Sequence, residues 1–119
     1  MMNRTVQSLL IILVLCLTMS LLPGHVKRTI DGDTFVLFHV GVPNEERVRV
    51  LGVNSPEKNK PNYFEAMAFT STWLSQGPSE LTTCKRDSFG RLLGTVTRGT
   101  ESLGQRLIDT GLAVEDIRP

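Results

Sequence analysis

The sequence has little of what many catalytic motifs require. Its 119 residues hold two histidines, His25 and His39, and two cysteines, Cys16 and Cys84. Neither type falls at zinc-ligand spacing, and isolated histidines support neither a two-histidine metal site nor a Ser-His-Asp triad. No repeat, low-complexity tract or internal linker interrupts the chain. An excess of either charge is also missing: 13 Lys and Arg face 12 Asp and Glu. Arg4 is the one charged residue among residues 1–23, so the remainder is formally neutral. Bulk positive charge therefore cannot hold a polyanion here, and any anion site has to be a local cluster. What is present is ordinary globular composition, 40% hydrophobic and 21% charged, enough for one small core.

Leu9 to Leu22 reads LLIILVLCLTMSLL, 14 residues without a charge. As a helix it would reach about 21 Å, short of the ~30 Å hydrocarbon core. A basic start before a short apolar run is the pattern of a signal peptide, although no Ala-x-Ala precedes a cut. Extended back to Val6 the run could remain as a membrane anchor. Residues 1–23 are thus expected to be a signal peptide or anchor helix, with possible membrane association through residues 6–22. The domain would then be exported, periplasmic or secreted, or else anchored outside the cytoplasm. Cleavage would leave Cys84 alone, a half-buried strand residue with no internal partner.

Residues 24–119 read as one domain of short strands. Val26 to Ile30, Thr34 to Val40, Glu46 to Val53, Leu81 to Lys85 and Leu92 to Thr97 are β-rich and separated by turn residues. Val48 and Val50 alternate with Arg47 and Arg49, which puts both arginines on the face opposite the core. Phe64 to Ser75 carries Ala66, Phe69 and Trp73 at helical spacing and ends at Gly77-Pro78. Ser102 and Gln105 form a capping-box pattern opening a second helix, with Gly111 placed for its C-terminal cap. Five strands and two short packed helices suggest an α+β five-stranded OB-fold barrel. A four-stranded α+β sheet would give a similar string.

Asp31-Gly32-Asp33-Thr34 sets two carboxylates on a sharp turn, a donor type suited to a hard cation such as calcium. Asn54-Ser55-Pro56-Glu57 closes the strand that carries Arg49. Arg91 follows a second turn. Taken one at a time these are plain turns and solvated charges. Taken together, two acidic turns and two arginines match what phosphodiester hydrolysis needs: a cation, a base for water, and forked donors for a charged phosphate.

In order, Ile30-Asp31-Gly32-Asp33-Thr34, Arg49 with Asn54-Ser55-Pro56-Glu57, and Asp87-Ser88-Phe89-Gly90-Arg91 resemble the three signature blocks of the staphylococcal (micrococcal) nuclease family. Glu65-Ala66 to Phe69-Thr70 and Leu107 to Ala113 are similar to its first two helices. The likeness runs from about Val26 to Val114. It implies a thermonuclease-like OB-fold domain with a calcium-dependent nuclease acting on single-stranded DNA or RNA as a monomer and leaving 3′-phosphate ends. It further implies that Asp33, Asn54 and the carbonyl of Ser55 hold one calcium ion, with Asp31 and Thr34 shaping that turn. Glu57 would serve as general base or water-orienting group, and Arg49 and Arg91 would grip the scissile phosphate. Apart from the resemblance, Lys85 and Arg86 are basic residues expected to add nucleic-acid contacts.

Three departures stand against the family pattern. Asn54 occupies the place of an aspartate ligand, so calcium should bind more weakly. Ser88 replaces a phosphate-binding lysine. Beyond Ala113 the chain reads Val-Glu-Asp-Ile-Arg-Pro, without the family's stacking tyrosine pair or third helix. An OB-fold module that binds nucleic acid without cutting it is the alternative, with Lys85, Arg86, Arg91 and Arg98 as its groove and Phe35, Phe38 and Phe89 as candidate stacking platforms. A membrane-anchored interaction module is a third.

Overall fold

A computed structural model describes residues 16–38 and 44–117. Nine strands and two α-helices occur among them: β1 (Leu17–Leu21), β2 (Val26–Asp31), β3 (Thr34–Leu37), β4 (Glu46–Val50), β5 (Val53–Asn54), α1 (Tyr63–Ser75), β6 (Ser79–Arg86), β7 (Leu92–Arg98), β8 (Glu101–Ser102), α2 (Leu103–Asp109) and β9 (Val114–Glu115). The main sheet runs β1-β6-β7-β4-β3-β2, with β8 on β7 and a separate β5–β9 ladder. All pairings are antiparallel except β4 with β7.

β1 and β2 stand at opposite ends of that order, yet only a single turn at Pro23–His25 lies between them. A flat six-strand sheet would separate its ends by roughly 24 Å, more than the five residue steps from Leu21 to Val26 can span. The sheet is therefore strongly rolled, the OB-like α+β architecture expected. It stays open, since β1 pairs only with β6 and β2 only with β3 among the described residues. Phe35, Val48, Val50, Leu81 and Val96 fill the roll, and Trp73, Leu74, Leu103 and Leu107 of the helices cover it.

The strands expected at Val26, Thr34, Glu46, Leu81 and Leu92 are all found, with shifted ends. Leu51 and Gly52 turn the third away from its expected run to Val53, and Gly52 takes a φ of 84° there. Both helices form where their periodicity placed them. Ser102 accepts the Gln105 backbone N–H at 3.1 Å, and Gly111 closes α2 with a φ of 76°.

Two expectations at the N-terminal side need correction. Leu17–Leu21 falls in the apolar run read as a helix but is strand β1, paired along its whole length with Ser79–Thr83 of β6. Within LTMSL the polar Thr18 and Ser20 alternate with Met19 and Leu21, which pack toward the core. That two-residue period is a strand pattern, masked by the surrounding leucines. The earlier part of the run, residues 6–15, lies outside the described residues, and no described helix is long and apolar enough to cross a membrane. Cys84 is not a half-buried lone thiol: it is exposed and disulfide-bonded to Cys16. A cleaved leader would take Cys16 with it, whereas the β1–β6 ladder brings the two cysteines together.

Candidate active site

The turn between β2 and β3 is shaped by contact. A Cβ on Gly32 would lie 2.7 Å from the Ser55 Cβ and 2.8 Å from the Ala66 Cβ, so a side chain there would force the β5 loop and α1 away. The buried Thr70 hydroxyl of α1 donates to the Gly32 carbonyl at 2.6 Å. Tyr63, at the start of α1, donates its hydroxyl to the Ile30 carbonyl. The helix thus anchors the backbone of the acidic turn.

Asp33 is 5% exposed and heavily engaged. Its Oδ1 accepts from the Thr34 hydroxyl at 3.0 Å, and its Oδ2 accepts the Ser55 backbone N–H at 2.9 Å. Arg49 Nη1 lies 3.2 Å from the same Oδ2. Asp31 accepts the Asp33 backbone N–H at 3.1 Å. Burial, followed by hydrogen bonding and repulsion from Asp33, pushes the Asp31 carboxyl up to about 7.

Arg49 reaches the site from the end of β4, where Val48 and Val50 hold the strand in the core. Its Nη1 donates to the carbonyls of Val50 and Val53 at 2.8 Å each, and its Nη2 donates to Asn54 Oδ1 at 2.7 Å. Arg91 arrives on the β6–β7 hairpin. Asp87 organises that turn by accepting the backbone N–H groups of Phe89 and Arg91 at 2.9 and 3.0 Å and Arg91 Nε at 2.6 Å. Burial raises the Asp87 carboxyl, but these hydrogen bonds and the Arg91 charge outweigh it, and the net shift is downward.

Asp31, Asp33, Thr34, Arg49, Asn54, Ser55, Glu57 and Arg91 line a single cavity of about 460 Å³. Eight of the ten residues singled out from the sequence are therefore brought together. Lys85 and Arg86 are not among them. Lys85 lines an adjoining cavity on the other side of Arg49 and Arg91. Arg86 pairs with both carboxylate oxygens of Glu46, at 2.6 and 3.0 Å, and donates to the Gly90 carbonyl. Arg98 stacks 4.0 Å above Trp73 and donates to the carbonyls at the end of α1. Of the possible platforms Phe35 is core, while Phe38 and Phe89 are 53% and 83% exposed.

Asp87 and Asp116 are site residues that sequence reasoning did not single out. Asp87 stood inside a recognised block, and its role as a three-way acceptor could have been read from an Asx turn before Gly90. Asp116 carries no local signal, because its place depends on β9 pairing with β5.

The donor set suits a hard cation. Two crowded carboxylates, one with its proton affinity raised, gain from a nearby positive charge, and the buried Ser55 hydroxyl has no hydrogen-bond partner. The negative charge is low for such a site: no group of three or more His, Cys, Asp or Glu able to hold a metal occurs among the described residues. Asn54 offers only a neutral amide oxygen, which accepts from Arg49 Nη2.

A family model described as staphylococcal nuclease homologue matches residues 47–118. The chain is 38% identical over 96 residues to a protein named thermonuclease from Staphylococcus intermedius, covering 74% of this chain and 56% of that one. It is 35% identical to the thermonuclease of Staphylococcus hyicus, with the same coverage. To endonuclease YncB of Bacillus subtilis (strain 168) it is 36% identical over 95 residues, 72% of this chain and 44% of the relative. The chain thus spans about half the length of the curated relatives it matches. Its ordered blocks, the rolled sheet that gathers them and these matches agree: the chain belongs to the staphylococcal nuclease homologue family.

Proposed function

We propose that this protein is an exported, calcium-dependent nuclease that hydrolyses phosphodiester bonds in DNA and RNA and leaves 3′-phosphate ends. The observation that carries the reading is the shared cavity of about 460 Å³, which Arg49 and Arg91 line together with the acidic turn and Glu57. The relatives' names, thermonuclease and endonuclease, point to the same reaction class.

Asp33, Asn54 and Ser55 would hold the ion. Bound calcium would lower the repulsion between an anionic phosphodiester and an attacking hydroxide. The forked guanidinium groups of Arg49 and Arg91 hold the phosphate oxygens and answer the charge that grows as the phosphorus becomes five-coordinate. Glu57, exposed at the cavity, accepts a proton from the attacking water or orients it. The new bond joins the water oxygen to phosphorus, and the P–O5′ bond breaks. The 5′ oxygen leaves with a proton drawn from solvent, and the phosphate stays on the 3′ end. Export in a form that keeps Cys16 would accord with the Cys16–Cys84 disulfide, since such bonds persist in oxidising compartments.

The test is hydrolysis of a labelled single-stranded oligonucleotide by the full chain with calcium and with a chelator, followed by analysis of the product ends. Calcium-stimulated cleavage to 3′-phosphate ends is expected. Binding that survives chelation without any product would instead support a non-catalytic module, a reading favoured only by Asn54 Oδ1 being taken by Arg49.

A further inference from the structure

We infer that Asp116 is a positioning residue for the Arg49 guanidinium, supplying the carboxylate that Asn54 lacks on that side of the site. The inference rests on the nuclease reading above and adds a residue to it.

Arg49 is packed among acceptors, with its side chain 13% exposed. Its Nη1 is committed to two backbone carbonyls and lies beside Asp33. Its Nη2 donates to the Asn54 amide oxygen, and Asp116 Oδ2 lies 3.9 Å from the same nitrogen. Asn54 is neutral, so of these two side chains only Asp116 brings charge. The Asp116 side chain is 16% exposed, and an ion pair this sheltered is screened far less than one on the surface.

One small ladder sets both neighbours. β9 pairs with β5 at Val53↔Glu115 and Asn54↔Val114, and the Asp116 backbone N–H donates to the Gly52 carbonyl at 2.8 Å. Asn54, on β5, and Asp116, the residue after β9, therefore both approach Nη2 from this ladder. Asp33 is a cation ligand in the proposed reaction and is shared. Asp116 lines the adjoining cavity with Lys85 and Arg91, a cavity whose lining does not include the acidic turn, and it is an anionic neighbour of Arg49 outside the proposed cation site. Holding the guanidinium plane still matters most when the phosphate is changing shape, so the effect belongs in kcat more than in KM.

The experiment compares wild type, Asp116→Asn, Asp116→Glu and the double variant Asn54→Asp/Asp116→Asn at saturating calcium. The asparagine preserves size and leaves the backbone bond to Gly52 in place. Expected are a kcat about ten-fold lower in Asp116→Asn with KM changed less than about two-fold, partial recovery in Asp116→Glu, and recovery in the double variant, where a carboxylate again meets Nη2. A second readout needs no turnover: in calcium-free protein the Arg49 side-chain NH resonance should shift in Asp116→Asn and return in the double variant. An unchanged or raised kcat in Asp116→Asn overturns the proposal. So does a double variant no better than Asp116→Asn. If the wild type cleaves nothing, the nuclease reading fails and the Arg49 resonance alone decides the role of Asp116.

Discussion

At Asn54 a carboxamide stands beside the cation site proposed above, and the consequence is electrostatic. Asn54→Asp adds a negative charge beside Asp33, which should tighten calcium binding on the order of ten-fold, about 1.4 kcal/mol, by titration calorimetry. Unchanged affinity would show that position 54 serves Arg49 alone. Arg91→Ala should lower kcat by roughly 10²–10³, the usual loss when one preorganised donor to a developing charge is removed. Its fold should persist, because Asp87 still accepts the Phe89 N–H and the main-chain N–H of residue 91. Asp31 carries a pH signature. Burial above all pushes its carboxyl up to about 7 in the folded protein, against an ordinary value of 3.8. The folded state then keeps a proton that the unfolded chain releases. Metal-free stability should therefore fall as pH rises from about 4 to about 7 and level off above that. Urea midpoints across this window, compared with Asp31→Asn, check it: the variant should remove most of the slope.

Among the elements, β1 and the β6–β7 hairpin are joined by more than hydrogen bonds. Cys84 sits at the register shift between Thr83 and Lys85, just before the arm that carries Asp87 and Arg91. Its bond to Cys16 closes a separation of 68 residues. A loop of that length corresponds to about 4 kcal/mol of restricted unfolded-state entropy in the chain model. Cys84→Ser should consequently lower the thermal midpoint by several degrees, and reduction of the wild type should match it. Equal midpoints for oxidised and reduced protein would count against any structural role for the bond. The core face of β1 adds Leu21, 3% exposed, so a protein beginning at Gly24 loses a core residue as well as a strand.

Across the whole molecule the near balance of 13 basic and 12 acidic residues leaves affinity to a few contacts. Arg49, Arg91 and Lys85 border the two adjoining cavities, while Arg86 and Arg98 line neither. Three phosphate contacts on a single strand give a slope of about −2 in log K against log salt. A fluorescence titration over salt concentration measures it, and a slope of −5 or so would place Arg86 and further bases on the substrate path as well.

Local chemistry determined a good deal from sequence alone. Alternation at Val48 and Val50, helical spacing at Ala66 and Trp73, and the Ser102 cap each act within a few residues, so the corresponding elements were legible. The acidic turn and the two arginines were legible as an ordered set of blocks. β1 was misread because Thr18 and Ser20 alternate inside a leucine-rich run that looks uniformly apolar. Only the rolled sheet decided that Cys16 meets Cys84, that Arg86 and Arg98 serve the protein's own acceptors, and that Asp116 comes to rest beside Arg49. Those pairings join residues 20 to 68 positions apart. Nothing in a local window fixes such contacts; they follow from strand order and register, which are set when the whole core packs.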